Sequence, residues 1–177
     1  MRLVPLLLLA AACAALPAAA ADDPSVLRER TRETLLYGID SEVLEVVKQL
    51  KLSADPSFSA ELAAALSENR GTELRRAILE LFAETKAAEG EPAARVILQE
   101  WQDQPSDLVI ASVRYATASG LEGRTVLLAP LLDAGQAALA SAAVDALGKT
   151  GDPAAGDILL RRLADPEAGD QGRGEVI

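Results

Sequence analysis

Histidine is absent from this 177-residue chain, and cysteine occurs once, at Cys13. Without histidine there is no imidazole for general acid–base catalysis, for the usual zinc sites or for a Ser-His-Asp triad. A single cysteine can form no internal disulfide, so the fold must be stabilised by packing. The GxSxG, GxxxxGK, HExxH and CxxC motifs are also missing. We therefore expect a protein that is not an enzyme and that has no catalytic residues, no metal site and no cofactor.

Aromatic residues make up only 3% of the chain, although 50% of it is apolar. The apolar residues are mostly Ala, Leu, Val and Ile, which favours closely packed helices over a sheet. The 27 acidic and 17 basic side chains give a formal charge of −10. Such a charge repels phosphate backbones and anionic lipid surfaces, so we expect no nucleic-acid partner and no binding to a membrane surface.

The N-terminus has the pattern of a secretory signal peptide over residues 1–21. Arg2 precedes a short apolar run, Pro17 breaks it, and four alanines before Asp22 offer small-residue cleavage sites. The run is shorter than the roughly 20 residues of a membrane span. We expect export to the periplasm or out of the cell, with no transmembrane span in the mature chain. The alternative is a lipoprotein signal that is acylated at Cys13, although Ala10-Ala11-Ala12 is a loose match to that motif.

After residue 21, two families of apolar positions alternate along the chain. The first family starts at Val43, Leu74, Val109 and Leu139, in steps of 31, 35 and 30, and each start recurs at i+4 and i+7 as one face of a helix. The second family steps by 35, 31 and 31, and its anchor pairs are Leu62/Leu66, Ile97/Trp101, Leu128/Leu132 and Leu159/Leu163. Two families that repeat with nearly the same period indicate stacked helix–turn–helix units.

The boundaries of these units coincide with proline and glycine. Asp55-Pro56, Glu91-Pro92 and Asp152-Pro153 separate first from second helices, because proline suits the first turn of a helix and a preceding Asp can cap it. We expect an N-terminal capping helix within residues 22–39, at about 25–38. A repeat array follows over residues 40–177, with about four repeats and the start of a fifth.

The fourth unit, residues 139–166, resembles the HEAT-repeat family in its short PBS-lyase-like form. Leu147-Gly148, Asp152, Ala155, Leu159 and Leu163 match that pattern, and Pro130 resembles the proline of the second HEAT helix. Residues 32–50 are similar to the start of exported HEAT-repeat proteins of spirochaetes. The resemblance implies an all-α fold, an α-solenoid of HEAT-like helical hairpins wound into a right-handed superhelix.

The function indicated by this pattern is a non-catalytic scaffold of the cell envelope that binds a protein or peptide. Binding in solenoids tends to use the face formed by equivalent helices. The second helices carry a basic set of polar residues that could recognise an acidic peptide or could be ordinary solvated positions. This set comprises Arg95, Gln99, Arg124, Asp157, Arg161 and Arg162.

Several alternatives remain open at this point. The chain ends on Val176-Ile177 without a polar cap, which indicates either a fragment or self-association through that end. The protein could therefore be a structural spacer or an oligomer, and the family resemblance also allows a PBS-lyase-like enzyme. Glu80 and Glu84 share one helix face, where we expect solvated acids, and Trp101 is expected in the core.

Overall fold

The computed structural model describes residues 23–53, 55–68 and 70–164. Within these ranges the chain is all-helical and contains no β-strand, which confirms the predicted all-α class. The short 3-10 helices are Ala88–Gly90, Trp101–Asp103 and Ala129–Asp133. The α-helices are α1 (Pro24–Tyr37), α2 (Asp40–Ser53), α3 (Ser59–Ser67), α4 (Thr72–Thr85), α5 (Glu91–Gln99), α6 (Ser106–Ser119), α7 (Arg124–Leu128), α8 (Ala137–Lys149) and α9 (Pro153–Ala164).

Asp-Pro pairs begin two of these helices. The Asp23 carboxylate accepts a hydrogen bond from the backbone N–H of Ser25 at 2.9 Å, and Asp152 accepts one from Ala154 at 3.0 Å. The following prolines need no hydrogen-bond acceptor in the first turn, so the two residues together fix the start of α1 and of α9. Asp55 instead stabilises a turn that ends before α3 begins.

The predicted alignment of α6 with α4 is wrong by one residue, as the ends of these two helices show. Both helices span 14 residues, they begin 34 residues apart, and both end at a residue with positive φ, Lys86 at 55° and Gly120 at 74°. Leu74 in α4 therefore corresponds to Leu108 in α6 rather than to Val109. The mistake arose because α6 buries both Leu108 and Val109, so its apolar pattern fits either register.

Four helices, which we call the first helices, contact one another in chain order: α2 with α4, α4 with α6, and α6 with α8. The apolar positions that the repeat pattern assigns to them form much of the core, and each is at most 7% exposed. They are Val43, Val47, Leu50, Leu74, Ile78, Leu81, Val109, Val113, Ala116, Leu139, Ala143 and Ala146.

The remaining helices, which we call the second helices, also make successive contacts: α1 with α3, α3 with α5, and α5 with α7. Helix α9 packs on α8. Pro130 lacks an N–H, so α7 stops early and continues as the 3-10 helix Ala129–Asp133. The anchors Leu62, Leu128 and Leu132 are buried, whereas Leu159 in α9 is half-buried.

A tight contact joins α4, α6 and the segment that precedes α5. Tyr115 of α6 is fully buried, and its hydroxyl donates a 2.8 Å hydrogen bond to the carbonyl of Ala87. Gly90 lies against the rings of Tyr115 and Phe82. A Cβ on this glycine would come within 2.9 Å of the Tyr115 ring and 2.7 Å of the Phe82 ring. The absence of a side chain at Gly90 therefore lets the two rings pack against the backbone.

Some of the sequence predictions concern residues that the structure does not describe. The signal peptide at residues 1–21, with Cys13, and the start of a fifth repeat after residue 164 lie outside the described residues. Among the helices that are described, none is both long and apolar enough to cross a membrane.

Candidate functional site

The structure places the six predicted binding residues on three of the second helices. Arg95 and Gln99 lie on α5, Arg124 begins α7, and α9 carries Asp157, Arg161 and Arg162. Gln99, Asp157 and Arg161 are exposed, whereas Arg95, Arg124 and Arg162 are partly buried. The partly buried residues differ from the exposed ones in the contacts that they make.

The partly buried arginines donate hydrogen bonds to main-chain carbonyls of neighbouring segments. Arg95 Nη2 lies 3.1 Å from the carbonyl oxygen of Glu122, in the loop before α7. Arg124 Nη2 lies 3.0 Å from the carbonyl oxygen of Thr150, in the loop before α9. The guanidinium groups thus satisfy carbonyls that lie outside regular helix hydrogen bonding. These hydrogen bonds join one helical unit to the next through the Nη2 atoms of the two arginines.

Arg162 and Arg70 join units in the same way. Arg162 Nη2 donates to the carbonyl of Leu132 at 3.1 Å, and its Nη1 lies 2.5 Å from Asp133. Arg70, which the sequence analysis did not single out, donates from Nη1 to the carbonyl of Gly38 at 2.8 Å. A guanidinium has five donors in a fixed fork, which suits it to bridging segments in this way.

Two aspartates add further links between units. Asp40 accepts the backbone N–H of Gly71 at 2.7 Å, and this bond, followed by the Arg70 side chain, lowers the pKa of the Asp40 carboxyl. Asp152 accepts the hydroxyl of Thr125 at 2.7 Å, and this bond is the largest cause that lowers the pKa of Asp152. Both carboxylates are therefore structural acceptors.

Arg161 is the predicted cation that remains accessible, and it borders a groove of about 580 Å³. Its only hydrogen bond in the described structure runs from Nε to the carbonyl of Asp157 at 3.3 Å, so the terminal nitrogens can bind another group. The groove lies between the segment 126–133 and α9. It is lined by Val126, Ala129, Pro130, Leu132, Asp133, Ile158, Arg161 and Arg162.

The second helices also expose large apolar side chains that the repeat pattern did not predict, and one of them, Val126, lines this groove. Val96 on α5 is 48% exposed, Val126 on α7 is 76% exposed, and Leu160 on α9 is 64% exposed. Three successive second helices therefore each present a large apolar residue to solvent. The available signal was an apolar residue one or two positions from an anchor, Val96 by Ile97, Val126 by Leu128 and Leu160 by Leu159, where a two-sided helix would normally place a polar residue.

Among the residues that the structure describes, no group of three or more His, Cys, Asp or Glu side chains could hold a metal ion. Glu80 and Glu84, the acids that share a helix face, lie 3.3 and 3.0 Å from Lys51 Nζ, and the bonds to Glu84 and then Glu80 raise the pKa of Lys51. Trp101 is half-buried and packs against the core from the 3-10 turn after α5.

The comparisons with known proteins add no relative to this description. No protein-family model matches the chain, and no curated protein sequence matches it. The candidate site therefore has to be judged on its own geometry.

Proposed function

We propose that the protein is a non-catalytic binding scaffold of the cell envelope, built as a short α-solenoid of HEAT-like units, which holds a partner protein on its second helices. The observation that carries this proposal is the groove in which the exposed Val126 lies with the accessible Arg161, while α5 and α9 also expose the apolar residues Val96 and Leu160. Location in the envelope is supported by the signal-peptide pattern of residues 1–21.

The order of helix contacts supports the solenoid arrangement. First helices pack on first helices in chain order, and second helices pack on second helices from α1 to α7. Contacts that follow the chain in this way are what an array of stacked hairpins requires. The α1 helix takes part as a second helix, because it packs on α3 as well as on α2.

The chemistry of the groove favours an apolar peptide that carries a carboxylate. Val126, Pro130 and Ile158 offer an apolar surface, and Arg161 offers free guanidinium donors at its edge. A carboxylate matches the fork of an arginine, and apolar side chains gain from burial in the groove. The chain as a whole has a formal net charge of −10. Arg161 is therefore a local positive charge that would orient an acidic partner on this surface.

The experiment is a selection of peptides from a phage-displayed random library on the purified chain. We expect the selected peptides to combine Asp or Glu with Leu, Ile or Val. Arg161→Glu should remove the preference for acidic residues, and Val126→Asp should weaken binding altogether. Arg76→Glu, a charge reversal on the first helix α4, is the matched control and should change neither result. Selected peptides without an acidic preference, or a selection in which no peptide loses binding to the Arg161→Glu and Val126→Asp chains, would contradict the proposal.

A further inference from the structure

A second groove lies on the first helices, between α6 and α8, and has a volume of about 580 Å³. The residues that line it belong to those two helices alone. They are Ile110, Val113, Arg114, Thr117, Ala118, Ala138, Ser141, Ala142, Asp145, Ala146 and Lys149. None of the six residues assigned to binding from the sequence is among them.

The lining of this groove is mainly apolar. Val113 and Ala146 are buried, and Ile110 and Ala142 are half-buried and pack against the core. Alanine side chains on α8 leave room for another segment to approach the helix closely. An occupant with apolar side chains would cover Ile110 and Ala142, which the rest of the described chain leaves partly open to water.

One positive charge in this groove has no partner among the residues that the structure describes. Lys149 Nζ lies 2.6 Å from Asp145, so these two charges compensate each other. Arg114 is exposed and makes no hydrogen bond or ion pair with any residue of the described ranges. Arg70, Arg95, Arg124 and Arg162, in contrast, donate to carbonyls, as described above.

The position of Arg114 limits how much negative charge an occupant can bring. A smaller groove of about 140 Å³ between α4 and α6 shares Ile110 and Arg114 with the first, and Arg76, Glu80 and Asp107 also line it. The two acids outnumber Arg76, so they would oppose a second carboxylate beside Arg114. The surroundings therefore suit one carboxylate rather than a row of them.

We propose that this groove binds an apolar segment of a partner protein through a single Asp or Glu side chain, which pairs with Arg114. A carboxylate fits the guanidinium fork with one compensating charge, whereas a phosphate group brings about two negative charges to a single arginine. A nucleic acid would also be repelled by the charge of −10. This site is separate from the one on the second helices, so the molecule would hold two partners or two parts of one partner.

The test is an NMR titration of the full chain with a synthetic peptide of Leu and Ala that carries one central Glu. A twin peptide with Gln in place of the Glu is the matched control ligand. We expect the Glu peptide to shift the signals of Ile110 and Ala142, and to bind about tenfold more tightly than the Gln peptide, because a charged hydrogen bond is lost in the twin.

Three variants complete the test. Arg114→Gln should lower affinity for the Glu peptide about tenfold and leave affinity for the Gln peptide unchanged, which a merely structural role of Arg114 would not produce. Ala142→Leu should fill the groove and remove binding of both peptides. Arg161→Gln, on the other groove, should leave the peptide-induced shifts of Ile110 and Ala142 unchanged, so failure here and failure of the proposed function remain distinguishable.

Each of three results would overturn this inference. The first is equal affinity of the wild-type chain for the Glu and Gln peptides. The second is an absence of shifts at Ile110 and Ala142, even where the peptide shifts Val126 and Ile158 in the other groove. The third is a concentration-dependent shift of Ile110 without peptide, because a second copy of the chain would then be the occupant.

Discussion

At the scale of single residues, arginines show most clearly where sequence and structure diverge. The repeat pattern correctly placed Arg95, Arg124 and Arg162 on the second helices, but it could not show which carbonyl lies within reach of each guanidinium. That depends on where a loop of another unit passes, which periodicity does not encode. Of the four, Arg161 is the exposed one, and its hydrogen bond in the described structure runs from Nε to a carbonyl of its own helix.

Gly90 provides a prediction at the same scale. We expect Gly90→Ala to lower the free energy of unfolding by about 1–3 kcal/mol, because the new Cβ would overlap the Phe82 and Tyr115 rings. Thermal or urea unfolding followed by circular dichroism measures this change. Gly148→Ala in α8 is the matched control, since a Cβ there meets no atom within 4 Å. It should raise stability by about 0.5–1 kcal/mol through helix propensity. Equal effects of the two substitutions would refute the packing role of Gly90.

At the scale of helices, much of the fold could be predicted from the sequence. Apolar periodicity and proline positions located the first helices, and their assigned core positions are buried. The register of α6 was wrong by one residue because Leu108 and Val109 are both buried. The groove between α6 and α8 was missed for a different reason. A groove depends on the distance between two helices, and a list of small residues does not determine that distance.

Asp152 links α7 to α9, and the link should depend on pH. Its pKa is lowered in the folded protein from the ordinary value of 3.8, so the unfolded chain binds a proton at higher pH than the folded chain does. The stabilisation is therefore fully present above about pH 4–5 and is lost as the pH falls through the lower folded pKa. Asp152→Asn should unfold more easily than wild type at pH 7, and the difference should shrink as the pH approaches about 2.

Urea unfolding measured from pH 7 down to pH 2 checks this prediction. Asp157→Asn on α9 is the control, because that side chain is exposed and makes no hydrogen bond within the described structure. A difference between Asp152→Asn and wild type that stays constant over this range would show that charge on Asp152 does not contribute.

At the scale of the whole molecule, burial is greatest in the central helices. In α6, buried residues include Leu108, Ser112 and Tyr115, whereas α9 buries only Ala155 and α1 only Leu35. An array of units that contact mainly their neighbours should unfold locally from its ends. A single cooperative core should instead unfold as a whole.

Native-state hydrogen exchange tests this expectation. The backbone amides of α4 and α6 should exchange most slowly, and those of α1 and α9 most rapidly, with intermediate protection in α2 and α8. Residues within one helix should share similar opening free energies. Uniform protection from α1 to α9 would argue against an array of units and therefore against the proposed solenoid.

The arginine–carbonyl bonds between units also bear on how the chain folds while the ribosome is still making it. Arg70 and Arg162 donate to carbonyls made earlier, those of Gly38 and Leu132. Arg95 and Arg124 donate to carbonyls that are translated 27 and 26 residues later. The middle of a nascent chain therefore holds guanidinium groups whose acceptors have not yet been synthesised. Each of these units should reach full stability only after the loop that follows it has been translated.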